Sequence, residues 1–281
     1  METFVFALIL ALLAGLSTTV GCIIAFLVKK PSPEFLSIIM GFSAGVMILV
    51  SFVELLIEGI NINGFIMGII FFFVGLFMML LVDMTVTHKY EFEDTFKILY
   101  DENLEKNENS LPPSTRRRRR RYRYGREKTE VNLEKTSLLV FLGVFIHNIP
   151  EGIATFIGTI QSIELGIILA VAIALHNIPE GIAVATPIYI STESRKKAFL
   201  WSFLSGISEF IGAVVFGLIL YPFINNYLLG AMLAIVAGLM VYISLDELLP
   251  VSHSLGREHL SILGLIMGML VMSLSLVLFL K

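Results

Sequence analysis

The chain has 281 residues, of which 56% are hydrophobic and 15% charged, and its formal net charge is −3. A mean hydropathy of +0.86 excludes an ordinary soluble domain and is typical of a membrane protein with several spans. The single cysteine, Cys22, excludes a disulfide within the chain and a metal site built on thiolates.

Eight apolar runs are long enough to cross about 30 Å of hydrocarbon, which requires roughly 20 helical residues. We therefore predict an all-α polytopic membrane protein with eight transmembrane helices. The first run has no basic segment before it, so we expect it to be retained as a span and not cleaved as a signal. The predicted spans are Phe4–Val28, Leu36–Leu56, Phe65–Val82, Leu138–Ile160, Leu165–Pro187, Ala198–Leu220, Tyr227–Leu249 and Leu260–Leu280.

The basic residues are distributed unequally between the two sides of the predicted membrane. All 20 lysines and arginines except Lys281 fall in the connections after spans one, three, five and seven. The opposite connections contain none. By the positive-inside rule the basic side is cytoplasmic. Both termini then lie on the outer side of the cell membrane.

A long polar segment, residues 83–137, separates spans one to three (residues 1–82) from spans four to eight (residues 138–281). It is acidic at first and basic later, and we expect it to be a largely disordered cytoplasmic loop because it cannot bury enough apolar surface to fold alone. The arginine-rich run Arg116–Arg126 is expected to lie on anionic lipid headgroups. A regulatory or nucleic-acid role is the alternative, but without a folded basic surface we expect no nucleic-acid partner.

Spans two, three and seven carry side chains that could line a cation pathway. In span two, steps of three and four residues place one stripe on one helical face: Ser43, Met47, Ser51, Glu54 and Glu58. We interpret Met47, Ser51 and Glu54 as pathway residues, with an incidental charge as the alternative for Glu54. At the cytoplasmic side, Asp83 ends span three, and Asp246 and Glu247 lie near the end of span seven. These three acids are either pathway residues or ordinary interfacial charges.

An eight-residue block, HNIPEGIA, occurs twice, as His147–Ala154 in span four and His176–Ala183 in span five. Each copy places an imidazole, an amide and a carboxylate on nearly one face of a helix, because the spacings are three and four residues. Ionisable groups in hydrocarbon cost ~2.5–3.5 kcal/mol each, so they need a partner. No basic residue lies nearby, and the missing partner is therefore a metal cation.

The short turn between spans four and five, Gln161–Glu164, makes these spans antiparallel neighbours. In this antiparallel arrangement His147 lies at the same membrane depth as Glu180, and Glu151 lies at the same depth as His176. The two levels are about 6 Å apart along the helices. The two histidines and two glutamates would form a square near the middle of the membrane. Asn148 and Asn177 follow the histidines and lie on an adjacent face.

Pro150 and Pro179 predict kinks in both helices, since each proline removes an amide hydrogen and frees the carbonyl four residues back. Freed carbonyls at membrane depth are typical of helices that line cavities. Gly152 and Gly181 follow and allow close helix approach. The alternative is a pair of kinked helices whose polar groups bond only each other.

Span six adds Glu209 near its middle, beside two serines. Together with Glu151 and Glu180 it gives three buried carboxylates and no buried cation, which favours a cation site. Imidazole, amide and carboxylate ligands without thiolate suit Zn²⁺, Fe²⁺, Co²⁺ or Mn²⁺ better than Cu⁺. We expect the site in a bundle of helices 4 and 5 with helices 2, 6 and 7.

These motifs resemble the ZIP (Zrt-, Irt-like) family of divalent metal transporters, and its bacterial members in particular. The resemblance rests on the two HNIPEG blocks, on SGISE at Ser205–Glu209 and on VYISLDELLP at Val241–Pro250. It covers all eight spans. It implies uptake of zinc, and of Fe²⁺, Mn²⁺ or Co²⁺, into the cytoplasm by a homodimer in the cell membrane, with no prosthetic group.

The resemblance also implies a binuclear metal centre in which two glutamates bridge the ions. One site would use His147, Glu151, His176 and Glu180. The second would use Asn148, Glu151, Asn177, Glu180 and Glu209.

Two other functions fit the ligand chemistry. A divalent metal exporter would need the same ligands, and only the resemblance favours uptake. An intramembrane metal-dependent hydrolase would need a general base and an open coordination position, and the H-E-x-x-H pattern of metalloproteases is absent. We therefore expect a transporter and not an enzyme.

Overall fold

The computed structural model describes residues 2–28, 32–85, 133–255 and 258–279. Within these residues all secondary structure is helical, and eight helices coincide with the eight predicted spans. The helices are α1, Glu2–Val28; α2, Pro33–Val50 continued by Ser51–Leu56 and Ile57–Asn63; α3, Phe65–Thr85; α4, Leu133–Gln161; α5, Ile163–Thr192; α6, Arg195–Leu220, followed by a short turn, Tyr221–Phe223; α7, Asn226–Ile243 continued by Ser244–Leu248 and Leu249–Leu255; and α8, Glu258–Phe279.

The all-α membrane fold is confirmed. Within the described ranges, seven helices are long and apolar enough to cross a membrane, and α4 is the helix outside that set. Helix α4 nevertheless covers the predicted span Leu138–Ile160. Side chains 133–143 and 147 of α4 lie outside the described residues.

The helices extend beyond the predicted apolar runs because polar residues continue or cap them. Ser162 and Asn225 end the connections before α5 and α7, where their side chains accept hydrogen bonds from the amides of Leu165, at 3.1 Å, and Leu228, at 2.9 Å. Helix α4 begins at Leu133, inside the segment predicted as a loop. Most of that segment, including Arg116–Arg126, lies outside the described residues.

Helices α2 and α7 each contain a wider π-helical segment, Ser51–Leu56 and Ser244–Leu248. The serine that opens each segment turns its hydroxyl back onto its own helix, where it donates to the carbonyl of Met47 or Met240 at 2.7 Å. A π segment adds a residue to the turn and is frequent at functional sites. The straight stripe predicted for span two is therefore interrupted at Ser51.

Four helices, α1, α4, α5 and α6, form the central group, in which each helix contacts the other three. Helix α2 packs against α5 and is covered by α8, while α7 packs against α4 and is covered by α3. The copies of the repeated block lie in α4 and α5, at the centre of this arrangement. Both helices continue without interruption through Pro150 and Pro179.

The packing repeats when α1–α3 are exchanged with α6–α8 and α4 with α5. The α1–α5 and α2–α8 contacts then correspond to the α6–α4 and α7–α3 contacts. Equivalent glycines support the relation: a Cβ at Gly45 of α2 would overlap the carbonyl oxygen of Leu265, and one at Gly238 of α7 that of Phe72. The halves are thus related by an approximate two-fold axis.

We expect Gly152→Ala to destabilise the protein by about 1–3 kcal/mol, because an added Cβ would overlap the backbone carbonyl oxygen of Glu209. Gly158→Ala in the same helix is the matched control, since its Cβ would meet side-chain atoms and no backbone, the closest being the terminal methyl group of Leu169. Thermal unfolding of the two purified variants in detergent measures the difference. Equal melting temperatures would contradict the close α4–α6 contact.

Candidate metal site

The predicted ligands that the structure describes are all buried. Asn148, Glu151, Asn177 and Glu209 are fully buried, and His176 and Glu180 are 1% and 3% exposed. These side chains come from three helices of the central group, α4, α5 and α6. The side chain of His147 lies outside the described residues, so its pairing with Glu180 stays a prediction.

The structure brings His176 and Glu151 together, at the depth that the antiparallel register indicated. His176 Nε2 lies 3.1 Å from Glu151 Oε1. The other ring nitrogen, Nδ1, lies 3.2 Å from the carbonyl oxygen of Ala172. When Nδ1–H donates to this carbonyl, Nε2 carries a lone pair that faces a carboxylate. Two such acceptors repel each other unless a cation or a proton lies between them.

The two asparagines are oriented by hydrogen bonds from their NH₂ groups. Asn148 Nδ2 donates to the carbonyl and the hydroxyl of Ser205 in α6, at 3.1 and 3.3 Å. Asn177 Nδ2 donates to the carbonyl of Ala14 in α1 at 3.0 Å and also to Glu209 Oε1. With the NH₂ groups used in this way, each amide oxygen is available to a ligand.

The buried polar atoms that have no hydrogen-bond partner among the described residues include five at this site: Glu151 Oε1, Glu151 Oε2, His176 Nε2, Asn148 Oδ1 and Asn177 Oδ1. Of these, Glu151 Oε1 and His176 Nε2 face each other at 3.1 Å. Buried polar atoms almost always have a partner, so a group of unpaired acceptors requires an explanation. In the described part of the chain, no lysine or arginine is buried with them. Oxygen and nitrogen acceptors of this kind are ligands for a divalent metal ion.

The described side chains contain no group of three or more His, Cys, Asp or Glu that could hold a metal ion. The predicted ligand set differs from such a group in two respects: it includes two asparagines, and it includes His147. The arrangement therefore brings together one cross pair, His176 with Glu151, and one inter-helix pair, Asn177 with Glu209. The complete square stays a prediction.

The glycine of each repeat copy holds its helix against a neighbour in the central group. A Cβ at Gly152 would overlap the carbonyl oxygen of Glu209 in α6, and one at Gly181 that of Thr18 in α1. The backbones of α4 and α6, and of α5 and α1, are thus in direct contact beside the acceptor cluster.

The inner part of the predicted stripe in α2 reaches the metal-site helices. Ser43 donates to the carbonyl of His176 at 3.3 Å, and Met47 is buried. Glu54 is half-buried in the π segment. At the far end of the stripe, Glu58 accepts a hydrogen bond of 2.8 Å from Gln161, at the turn between α4 and α5.

Among the acids of the opposite end, the structure places Asp83 beside a residue that the sequence reasoning missed. The Tyr242 hydroxyl donates to Asp83 Oδ2 at 3.2 Å and joins α7 to α3. Asp246 and Glu247 are half-buried in the π segment of α7. A sequence signal for this region existed, because MILVSFVELL at Met47–Leu56 is repeated in outline as MVYISLDELL at Met240–Leu249.

Comparison with known proteins adds independent information. A family model described as "ZIP Zinc transporter" matches residues 60–276, a range that includes both repeat copies and Glu209. Zinc transporter ZupT of Chlorobaculum parvum is 42% identical over 99% of this chain and 99% of its own length. Its namesake in Clostridium perfringens is 42% identical over 99% and 98%, and that of Streptococcus mutans is 40% identical over 97% of each chain.

Proposed function

This chain belongs to the ZIP zinc transporter family, and we propose that it carries zinc and other divalent cations across the membrane into the cytoplasm. Fe²⁺, Mn²⁺ and Co²⁺ are the further substrates that we propose, since imidazole, amide and carboxylate ligands accept all of them. The protein is a multi-pass membrane transporter and not an enzyme. Its metal ions are substrates.

The observation that carries the proposal is the group of buried acceptors without a donor, formed by Glu151, His176, Asn148 and Asn177. A protein that only packed these groups against each other would place donors opposite acceptors. Here the amide donors are directed to backbone carbonyls, to the Ser205 hydroxyl and to Glu209, and none of them bonds Glu151 or His176. Bound cations would supply the positive charge that these acceptors lack.

Charge balance supports a centre for two ions. Glu151, Glu180 and Glu209 contribute three negative charges when they are ionised. One divalent ion leaves a net charge of −1 and two leave +1, so the second ion is the more weakly held. We propose the bridging arrangement, in which Glu151 and Glu180 contact both ions while the asparagines and Glu209 contact only the second.

We propose that ions reach and leave the centre along acids and soft ligands on α2, α3 and α7. Met47, Ser51 and Glu54 would serve one side, and Asp83, Asp246 and Glu247 the other. The contact between Ser43 and the carbonyl of His176 supports this path, because it places α2 directly against the metal-site helix. The acids attract cations to each mouth.

We further propose that the transporter is a homodimer in the cell membrane, with both termini outside. The distribution of basic residues supports this orientation of the chain. Protease protection of a tag at either terminus in sealed vesicles tests the orientation independently of transport.

Glu151→Ala and Glu180→Ala should each abolish zinc uptake into proteoliposomes, because the remaining ligands are too few to replace the hydration shell of the ion. Glu164→Ala is the control, since this acid is exposed in the first turn of α5 and should leave uptake unchanged. Zinc-sensitive fluorescence at matched protein content measures the rates. Normal uptake by either site variant would overturn the shared-ligand centre.

Glu209→Gln and Asn148→Ala should change the ranking of transported cations more than they reduce zinc uptake. Each substitution affects only the second ion position, while the first retains its ligands. Competition of Fe²⁺, Mn²⁺ and Co²⁺ against labelled zinc provides the measurement. If each variant lost the same fraction of uptake for every cation, the two positions would not be distinct.

Metal binding should weaken as pH falls, with the steepest loss between roughly pH 7 and 5, because a histidine ligand must be neutral and titrates near 6.5 in its ordinary state. Calorimetric titration in two buffers of different ionisation enthalpy counts the protons released per metal ion. His259→Gln is the control, since this exposed histidine in α8 should not alter the count. A count of zero would show that no ligand is protonated in the empty site.

A further inference from the structure

The two-fold relation of the fold places Thr18 of α1 at the position that Glu209 holds in α6. Glu209 is the fourth residue of GISEFIG, Gly206–Gly212, and Thr18 is the fourth residue of GLSTTVG, Gly15–Gly21. Both segments have glycine at each end and serine at the third position. The residues at the fourth position, a glutamate and a threonine, are the chemically important difference.

The contacts around the two positions correspond one to one. The carbonyl of Glu209 occupies the space where Gly152 of α4 lacks a Cβ, and the carbonyl of Thr18 occupies that space at Gly181 of α5. Across the α1–α6 contact, a Cβ at Gly15 would lie 3.4 Å from Glu209 Cβ, and one at Gly206 would lie 3.3 Å from Thr18 Cβ.

The hydrogen bonds correspond as well. Ser17 donates to the carbonyl of Ala14 at 2.6 Å, and in α6 Ser208 donates to the carbonyl of Ser205 at 2.5 Å. The two asparagines donate hydrogen bonds to the same two carbonyls. Asn177 donates to the carbonyl of Ala14 at 3.0 Å, and Asn148 donates to the carbonyl of Ser205 at 3.1 Å. The two halves of the centre thus share one construction.

The correspondence ends at the second hydrogen bond of each asparagine. Asn177 also donates to Glu209, whereas the second bond of Asn148 goes to the hydroxyl of Ser205 at 3.3 Å. Thr18 is fully buried, and its hydroxyl oxygen has no hydrogen-bond partner among the described residues. A buried hydroxyl without a partner is unfavourable, and a ligand from outside the protein would satisfy it. The hydroxyls of Thr19 and Ser202 are also buried without a partner among the described residues, so the equivalence of Thr18 to Glu209 is what directs the inference to Thr18.

We propose that Thr18 is a further residue of the metal centre, which faces the ions from α1 as Glu209 faces them from α6. Its hydroxyl supplies a neutral oxygen beside Asn148, either directly to the second ion or through a water molecule. This inference rests on the proposed function, since it names one more ligand of the same centre.

Because Thr18 is neutral, it affects the net charge of the metal centre. A glutamate at this position would give the centre a fourth carboxylate, and four negative charges would balance two divalent ions completely. Three carboxylates leave the pair of ions with an excess positive charge, which favours release of one ion. Thr18 therefore sets the charge of the centre, and with it the balance between binding and release.

The test moves the carboxylate from one side of the axis to the other. Three full-length variants are compared with the wild type: Glu209→Thr, the exchange variant Thr18→Glu/Glu209→Thr, and the control Thr19→Glu/Glu209→Thr. Thr19 is the next residue of α1 and is also largely buried, but its side chain points about 100° away around the helix. The number of zinc ions bound per protomer is measured on detergent-purified protein, together with uptake.

Glu209→Thr should lose the second zinc ion. The exchange variant should recover wild-type stoichiometry, and the Thr19 control should not. An exchange variant that is monodisperse but still binds one ion would overturn the inference, as would equal recovery by the control. The proposed function fails separately, when the wild type itself takes up no zinc, and the two-ion centre fails when the wild type binds fewer than two ions; the latter result would also overturn the inference about the second ion.

Thr18→Val keeps the shape of the side chain and tests the same point if the exchange variant does not fold. We expect the second zinc ion to bind about three- to tenfold more weakly, which is the usual worth of one hydrogen-bonding hydroxyl, while the first ion binds as in the wild type. Unchanged affinity for both ions would overturn the inference. Thr18→Ser, which keeps the hydroxyl, should restore the affinity for the second ion.

Discussion

The central constraint in this protein is the burial of acceptor groups that no donor of the described chain satisfies. Glu151, His176 and the two asparagines are placed where water is excluded, and an unsatisfied polar group there is costly. The nearby donors leave these acceptors unsatisfied, and one asparagine NH₂ group also bonds Glu209. The asparagine NH₂ groups bond backbone carbonyls of α1 and α6, and the Nδ1 atom of His176 faces the carbonyl of Ala172. What remains is a cluster with affinity for positive charge.

Close helix packing keeps that cluster from relaxing. Without water, helices in a membrane associate through contact area and small residues, and the glycines of the repeated block put backbone against backbone on both sides of the site. A rotation of α4 or α5 toward other donors would break these contacts with α6 and α1.

The sequence predicted the number of helices, their order and the repeated ligand block, because apolar length and ligand spacing are local properties. The His176–Glu151 approach also followed from local information, since a short turn fixes the antiparallel register of α4 and α5. The ends of the helices were harder to predict from the sequence. Helices α4 and α5 extend through polar residues that hydropathy alone assigns to connections. Contacts such as Tyr242 with Asp83 depend on how distant helices pack, and nothing in either segment alone indicates them.

The π segments of α2 and α7 carry information about the origin of the chain. Each contains one more residue than a regular helical turn would need, and each opens with a serine that bonds the carbonyl of a methionine four residues earlier. Two independent one-residue insertions at equivalent positions of α2 and α7 are less simple than a single insertion in a common ancestor. The simplest history is that α2 and α7 descend from one helix that already held the widened turn.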